Sequence, residues 1–148
     1  MMRVVIDTNV WVSGLLWRGL PWRLLCLAED GEIEICATPT ILMELAEVLT
    51  YERLQPRLTQ LGLTATELVA YAMTLASIFE VSEGEPIVID DPDDDVFLHC
   101  AVVADAAFIV SGDHHLLNLG SYMGIPILTV RDFFAEMFPQ FLETPARR

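Results

Sequence analysis

Lysine is missing from this chain: all eight basic residues are arginines, against 22 Asp and Glu, for a formal net charge of −14. A domain this acidic lacks the positive surface that drives non-specific binding to nucleic acid. Any nucleic acid would have to be met by a few local arginines and by bound cations that reverse the field. Cysteine is scarce too. Cys26, Cys36 and Cys100 form no Cys-x-x-Cys pair and each has apolar neighbours, so they read as small buried hydrophobes in a reducing, cytoplasmic compartment. No Gly-x-Gly-x-x-Gly or Walker loop follows the first apolar run, which disfavours a nucleotide-binding module. No secretory signal is visible, because the first apolar stretch is interrupted by Asp7. The longest charge-free run, His114 to Val130, contains His, Asn, Gly and Pro, which speaks against a membrane span.

What is present is apolar bulk. Hydrophobic residues make up 53% of the 148, and mean hydropathy is +0.46. The length suits one domain burying roughly 70% of its unfolded surface, over residues 1–138 with a loosely held tail at 139–148. A domain this small cannot hide so much apolar surface, which points to a protein partner or a homodimer.

The pattern along the chain alternates strands and helices. Val4 to Ile6 is a buried strand, and an apolar stretch runs from Val10 to Trp17. Pro21 opens a helix to about Ala28 that stops at Asp30-Gly31, and Ile33 to Cys36 is a short strand. After Thr38-Pro39, Ile41, Leu42, Leu45, Val48 and Leu49 keep the 3.6-residue period. Two further helices are predicted over Glu52–Leu61 and Thr64–Phe79, the second opened by a Thr64…Glu67 capping box. Glu80–Ser82 and Pro86–Ile89 read as extended. A helix follows Asp95 to about Ala106, Phe108–Val110 and Ile127–Leu128 are strands, and Arg131–Phe138 is the last helix. The economical fold is α/β: a three-layer α/β/α sandwich with a central, mainly parallel sheet. Right-handed crossovers then bring the ends of the Val4 and Phe108 strands to one sheet edge, with Asp7 and Asp113 at those ends.

Two more acids stand beside apolar elements. Glu44 lies between Met43 and Leu45 near the apolar stripe of its helix, one turn from Glu47; a metal would explain an acid drawn inward, and a solvated face would explain either. Asp90 to Asp95 holds five aspartates in six residues, more than helix capping requires, although capping explains part of it. Asp95, directly before Val96-Phe97-Leu98, falls in the first helical turn, with its role open to sharing by Asp93 or Asp94. Four carboxylates at one place repel unless they are protonated or share cations. Hard divalent ions want oxygen ligands, and two Mg²⁺ or Mn²⁺ can activate water and clamp the oxygens of a phosphodiester. Asn9 and Ser111 are placed to orient a carboxylate or a water. Arg18 and Arg23 are the arginines to steer a substrate, Arg53 and Arg57 more distant ones. Trp11, Trp17 and Trp22 read as bases' stacking partners or, more in keeping with an apolar stretch, as core or interface. His114 and His115 directly follow the last acid; a catalytic base is one reading, but two-metal chemistry does not need one, and a place in a loop or supporting the acids is preferred.

Ile6-Asp7-Thr8-Asn9-Val10-x-Val12-Ser13-Gly14-Leu15-Leu16, the Glu44 helix, Asp91-Pro92-Asp93-Asp94-Asp95-x-Phe97-Leu98 and Val110-Ser111-Gly112-Asp113-x-x-Leu116-Leu117 together resemble the PIN-domain family. The branch most similar is the toxin component of toxin–antitoxin pairs, the VapC-like ribonucleases. The resemblance implies a Mg²⁺- or Mn²⁺-dependent endoribonuclease cutting single-stranded RNA. Its acidic quartet falls on Asp7, Glu44, Asp95 and Asp113, with Asp7, Asp95 and Asp113 on the metal and Ser111 matching a small polar residue before the last acid. It further implies a homodimer silenced by a cognate antitoxin. The chain has more acidic surface than many such nucleases, which keeps a second reading open: a PIN-like domain with faint or no activity that serves as a protein-binding module. Phosphatases of the haloacid-dehalogenase type want a second Asp where Asn9 stands, and response-regulator receivers want a lysine. If the nuclease reading holds, the carboxylates of Asp7, Asp95 and Asp113 converge with Glu44 beside them, and crowding raises the pKa of at least one.

Overall fold

A computed structural model describes residues 1–80 and 95–143, without the side chains of Asp95 and Glu143. The acidic run before Asp95 and the extended pieces expected at 81–82 and 86–89 lie outside the described residues.

The sheet has six strands in the order β3-β2-β1-β4-β6-β5. These are β1 (Met2–Ile6), β2 (Ile33–Ala37), β3 (Ala76–Ile78), β4 (Phe108–Val110), β5 (Ser121–Tyr122) and β6 (Ile125–Leu128). All neighbours pair in parallel except β5 with β6. Central β1 is covered on both faces: Val4, Val5 and Ile6 are completely buried, as continuous apolar runs in parallel sheets demand. Its register sets Ile6 beside Val110, so the residues after β1 and β4 leave the sheet side by side.

Helices flank the sheet: α1 (Thr8–Leu16), α2 (Leu20–Glu29), α3 (Pro39–Val48), α4 (Gln55–Leu61), α5 (Ala65–Leu75), α6 (Asp95–Val103), α7 (His114–Leu119), α8 (Val130–Met137) and α9 (Gln140–Glu143), with a 3₁₀ turn at Glu52–Leu54. The arrangement is the expected α/β/α fold. Several starts follow local chemistry. Thr38 caps α3 by accepting from the Ile41 N–H at 3.2 Å, with Pro39 at the first helical position. Thr64 and Glu67 complete the capping box of α5. Gly14 lets α1 and α2 cross closely: a Cβ there would stand 2.8 Å from the Pro21 carbonyl oxygen and from Leu25 Cδ1.

The structure departs from the sequence reading at four places. The helix expected to reach Phe79 ends at Leu75, because Ala76–Ile78 pairs with Ile35–Ala37 as an edge strand. Ser121–Ile125 forms a hairpin whose two-residue loop puts both Met123 (φ 49°) and Gly124 (φ 81°) in the left-handed region. His114 and His115 are not loop residues but the exposed first turn of α7. The tail is held as far as α9, where Phe141 lies 5.9 Å from Phe134 and 6.3 Å from Phe138, ring centre to ring centre.

Candidate active site

At Asp7 the chain passes from β1 into α1. Its backbone stays extended (φ −79°, ψ 171°) and its Oδ1 accepts the Val10 N–H at 2.8 Å, so the carboxylate is also the helix cap. The Asp7 N–H donates to the Val110 carbonyl at 3.1 Å, which carries the β1–β4 ladder one residue past the strand. The carboxylate is thereby held against the end of β4. Its Oδ2 accepts from Ser111 Oγ at 2.6 Å and from the Gly112 N–H at 3.1 Å.

Ser111 is completely buried and does two jobs. While its hydroxyl donates to Asp7, its Oγ accepts the Asp113 N–H at 2.9 Å. Asp113 caps α7 through His115 N–H to Oδ1, at 2.8 Å. One hydroxyl thus ties the two strand-end aspartates into a single unit. On the other side of Asp7, buried Thr8 donates from Oγ1 to Glu44 Oε2. Glu44 is half-buried on α3, whereas Glu47 is exposed; of the two, Glu44 is the one turned toward the Asp7 loop.

Burial pushes the Asp7 carboxyl above its ordinary value. The hydrogen bonds from Ser111, Val10 and Gly112 pull the other way, and the Asp113 charge adds the smallest upward push. The crowding expected from sequence is therefore a minor cause, and removal from water the major one.

A carboxylate offers about four lone-pair sites. Three on Asp7 are taken by Ser111, Gly112 and Val10, leaving one on Oδ1, and no protein donor to Oδ2 of Asp113 is seen among the described residues. An all-oxygen set of this kind fits a hard divalent cation. Among the described residues no three acidic, His or Cys side chains stand close enough to hold one ion. Asp95 opens α6, but its side chain, with Asp93 and Asp94, is outside that set.

The remaining sequence-nominated residues fall elsewhere. Asn9 is exposed on the first turn of α1; the inward polar position belongs to Thr8, which the sequence reading passed over. Alternation alone could not have separated them, because the cap at Asp7 sets which residue of the first turn faces α3. Arg18 is exposed and stacks on Trp22 at 4.4 Å, and half-buried Arg23 lies 5.2 Å over Phe141. Trp11 is core, its indole N–H without an acceptor among the described residues, whereas Trp17 is 43% exposed.

An α/β/α sandwich with acids where central parallel strands end defines a class to which this chain can be assigned. The chain belongs to the PIN domain family, whose sequence profile matches residues 3–115. PIN domains are in general nucleases that use divalent metals. A relative of uncharacterized function from Methanocaldococcus jannaschii is 31% identical over 128 residues, covering 80% of this chain and 75% of that protein. Among solved structures the fold is similar to VapBC2 from Rickettsia felis bound to a DNA fragment from its promoter, with a TM-score of 0.57 at 14% identity over 85% of this chain and 97% of that one. It is also similar to a Pyrobaculum aerophilum protein, with a TM-score of 0.55 at 12% identity over 91% of this chain and 88% of the other. No helix among the described residues is long and apolar enough to cross a membrane.

Proposed function

We propose that this protein is a Mg²⁺- or Mn²⁺-dependent endoribonuclease acting on single-stranded RNA, the toxin of a toxin–antitoxin pair. The observation that carries the reading is the Asp7–Ser111–Asp113 unit, in which one buried hydroxyl donates to the Asp7 carboxylate and accepts the backbone N–H of Asp113, joining the acids that follow adjacent parallel strands. Asp7, Asp95 and Asp113 would hold the cation, with Glu44 bordering it. When bound, such an ion lowers the pKa of a water and stabilises charge gathering on the phosphodiester oxygens. The chain's own contribution is positional. Ser111 and Gly112 fix Asp7 Oδ2, the Val10 N–H fixes Oδ1, and Thr8 fixes the Glu44 carboxylate. With the Asp7, Glu44 and Asp113 carboxylates held before substrate arrives, little reorganisation of these three is left for the reaction itself. Arg18 and Arg23, on the α1–α2 side, would steer the RNA.

Silencing by a cognate antitoxin in the cytoplasm belongs to the proposal, and the fold shared with a VapBC structure supports the antitoxin. Exposed Met43, Met73 and Ile78, around an apolar groove of about 320 Å³ between α3 and α5, support association with a second protein surface, a homodimer in the simplest case. A second reading, a weakly active or inactive domain that binds protein, is favoured by the −14 charge. Cleavage of single-stranded RNA by purified protein with Mn²⁺ separates the two. Loss of turnover to background in Asp7→Asn and Asp95→Asn supports the nuclease; no turnover on any RNA, with antitoxin removed, supports the binding module.

A further inference from the structure

Far fewer arginines are neutralised here than the charge ratio suggests. Among the described residues the only ion pair joins Arg3 to Glu34, at 3.3 Å. Arg53 and Arg57 instead gather with Trp17 at the far end of α1, around an open hollow of about 610 Å³ also lined by Pro56, Thr59 and Gln60. The Arg57 guanidinium lies 5.6 Å from the centre of the Trp17 indole. Its Nε donates to the Leu16 carbonyl at 2.7 Å and its Nη1 to Gln60 Oε1 at 2.8 Å. These bonds hold the fork still while leaving three of its five N–H groups for an incoming acceptor. Arg53 lies 5.7 Å over the exposed Tyr51 ring.

A partly exposed indole beside two arginines with no acidic partner among the described residues is a distinctive chemistry. The indole offers a face for stacking, and planar guanidiniums match phosphate oxygens in pairs. We propose that Trp17, Arg53 and Arg57 form a docking site for single-stranded nucleic acid, a base stacking on Trp17 and its flanking phosphates meeting the two arginines. The proposal rests on the nuclease reading for its physiological substrate, RNA, but the patch is separate from the acids. α1 has Asp7 as its N-cap and Trp17 as its C-cap, about 15 Å apart at 1.5 Å per residue. A strand lying along this helix would reach the carboxylates while anchored a few nucleotides away. In so acidic a protein such an anchor supplies the local positive charge that the whole molecule lacks.

The test is binding without chemistry: anisotropy of a short fluorescein-labelled oligouridylate with the full-length protein in EDTA. Trp17→Ala and Arg53→Ala are each expected to weaken binding about 5- to 10-fold, the scale of one stacked base or one phosphate contact. Arg53→Ala is also expected to lower the slope of log affinity against log salt by about 0.7. Arg57 is left intact because it caps α1. Ala107→Glu changes net charge by the same amount as Arg53→Ala, on an exposed residue before β4, and is expected to leave affinity within about 2-fold. The proposal is overturned if the oligonucleotide does not bind. It is equally overturned if both patch variants bind like wild type, or if Ala107→Glu weakens binding as much as they do. Cleavage that persists without patch-dependent binding sinks the patch alone; patch-dependent binding without cleavage sinks the nuclease alone.

Discussion

Ser111 carries more of the site than its size suggests, because its single hydroxyl is donor to one aspartate and acceptor from the backbone of the next. Ser111→Ala is expected to cut cleavage about 10- to 100-fold, as loss of a group orienting a metal-binding carboxylate commonly does. It should cost about 1–3 kcal/mol of stability, since the buried Asp7 Oδ2 and the part-buried Asp113 N–H each lose a partner. Urea denaturation and single-turnover cleavage separate the two effects. Asp7 itself sets stability against function. Its carboxyl holds a proton to higher pH in the native state than in the unfolded chain, so stability falls as pH rises from the ordinary carboxylate range through the raised native value. Below that range the two states bind the proton alike and no penalty remains. Asp7→Asn keeps an oxygen to cap Val10 and removes the buried charge. In metal-free protein its thermal midpoint is expected to gain a few degrees on wild type as pH rises from acid to neutral, above a pH-independent cost for the amide N–H that then faces the Gly112 N–H; scanning calorimetry across that range reads it. A gain independent of pH would place its origin elsewhere.

At the scale of elements, what could be read from sequence followed periodicity and punctuation. The buried run Val4–Ile6, the α3 stripe and the Thr64 capping box each agree at every level, and each stands where expected. β3 was missed because Ala76–Ile78 continues a helical pattern, and only pairing with Ile35–Ala37 makes it a strand; tertiary context overrides local preference there. The β5–β6 hairpin was missed because its loop carries Met at a position where Asn is the usual signal. That misfit is correctable. Met123 is 72% exposed with φ 49°, so Met123→Asn is expected to stabilise by about 0.5 kcal/mol. Gly14→Ala is expected to do the reverse, costing about 1–3 kcal/mol, because the backbone of Pro21 cannot yield as a side chain could. Of the candidate site, the strand-end aspartates and Ser111 were legible because strand termini are predictable from apolar runs. Thr8 and the Gly112 N–H were not, since their roles depend on which way a capped turn faces.

The whole molecule poses a different electrostatic problem. A net charge of −14 on 148 residues repels itself, so any salt stabilises the fold by screening. A rise in thermal midpoint with Mg²⁺ or Mn²⁺ is therefore no sign of a site by itself. The discriminating comparison is against NaCl at equal ionic strength. An ion bound only by the native state adds about 2.7 kcal/mol at a hundredfold excess over its dissociation constant. For a domain of this size that is a shift of about 5–10 °C beyond screening. Wild-type protein is expected to show that surplus with Mn²⁺. In Asp7→Asn and Asp113→Asn it should shrink toward the NaCl curve, whereas Glu47→Gln, which removes an exposed carboxylate of the same helix as Glu44, should keep it. Screening depends on total charge and cannot tell Asp7 from Glu47, because each substitution removes one negative charge. If all three variants lose the surplus equally, or wild type never has one, the divalent ions are acting as diffuse counterions, and metal-assisted hydrolysis at the β1–β4 edge loses its footing.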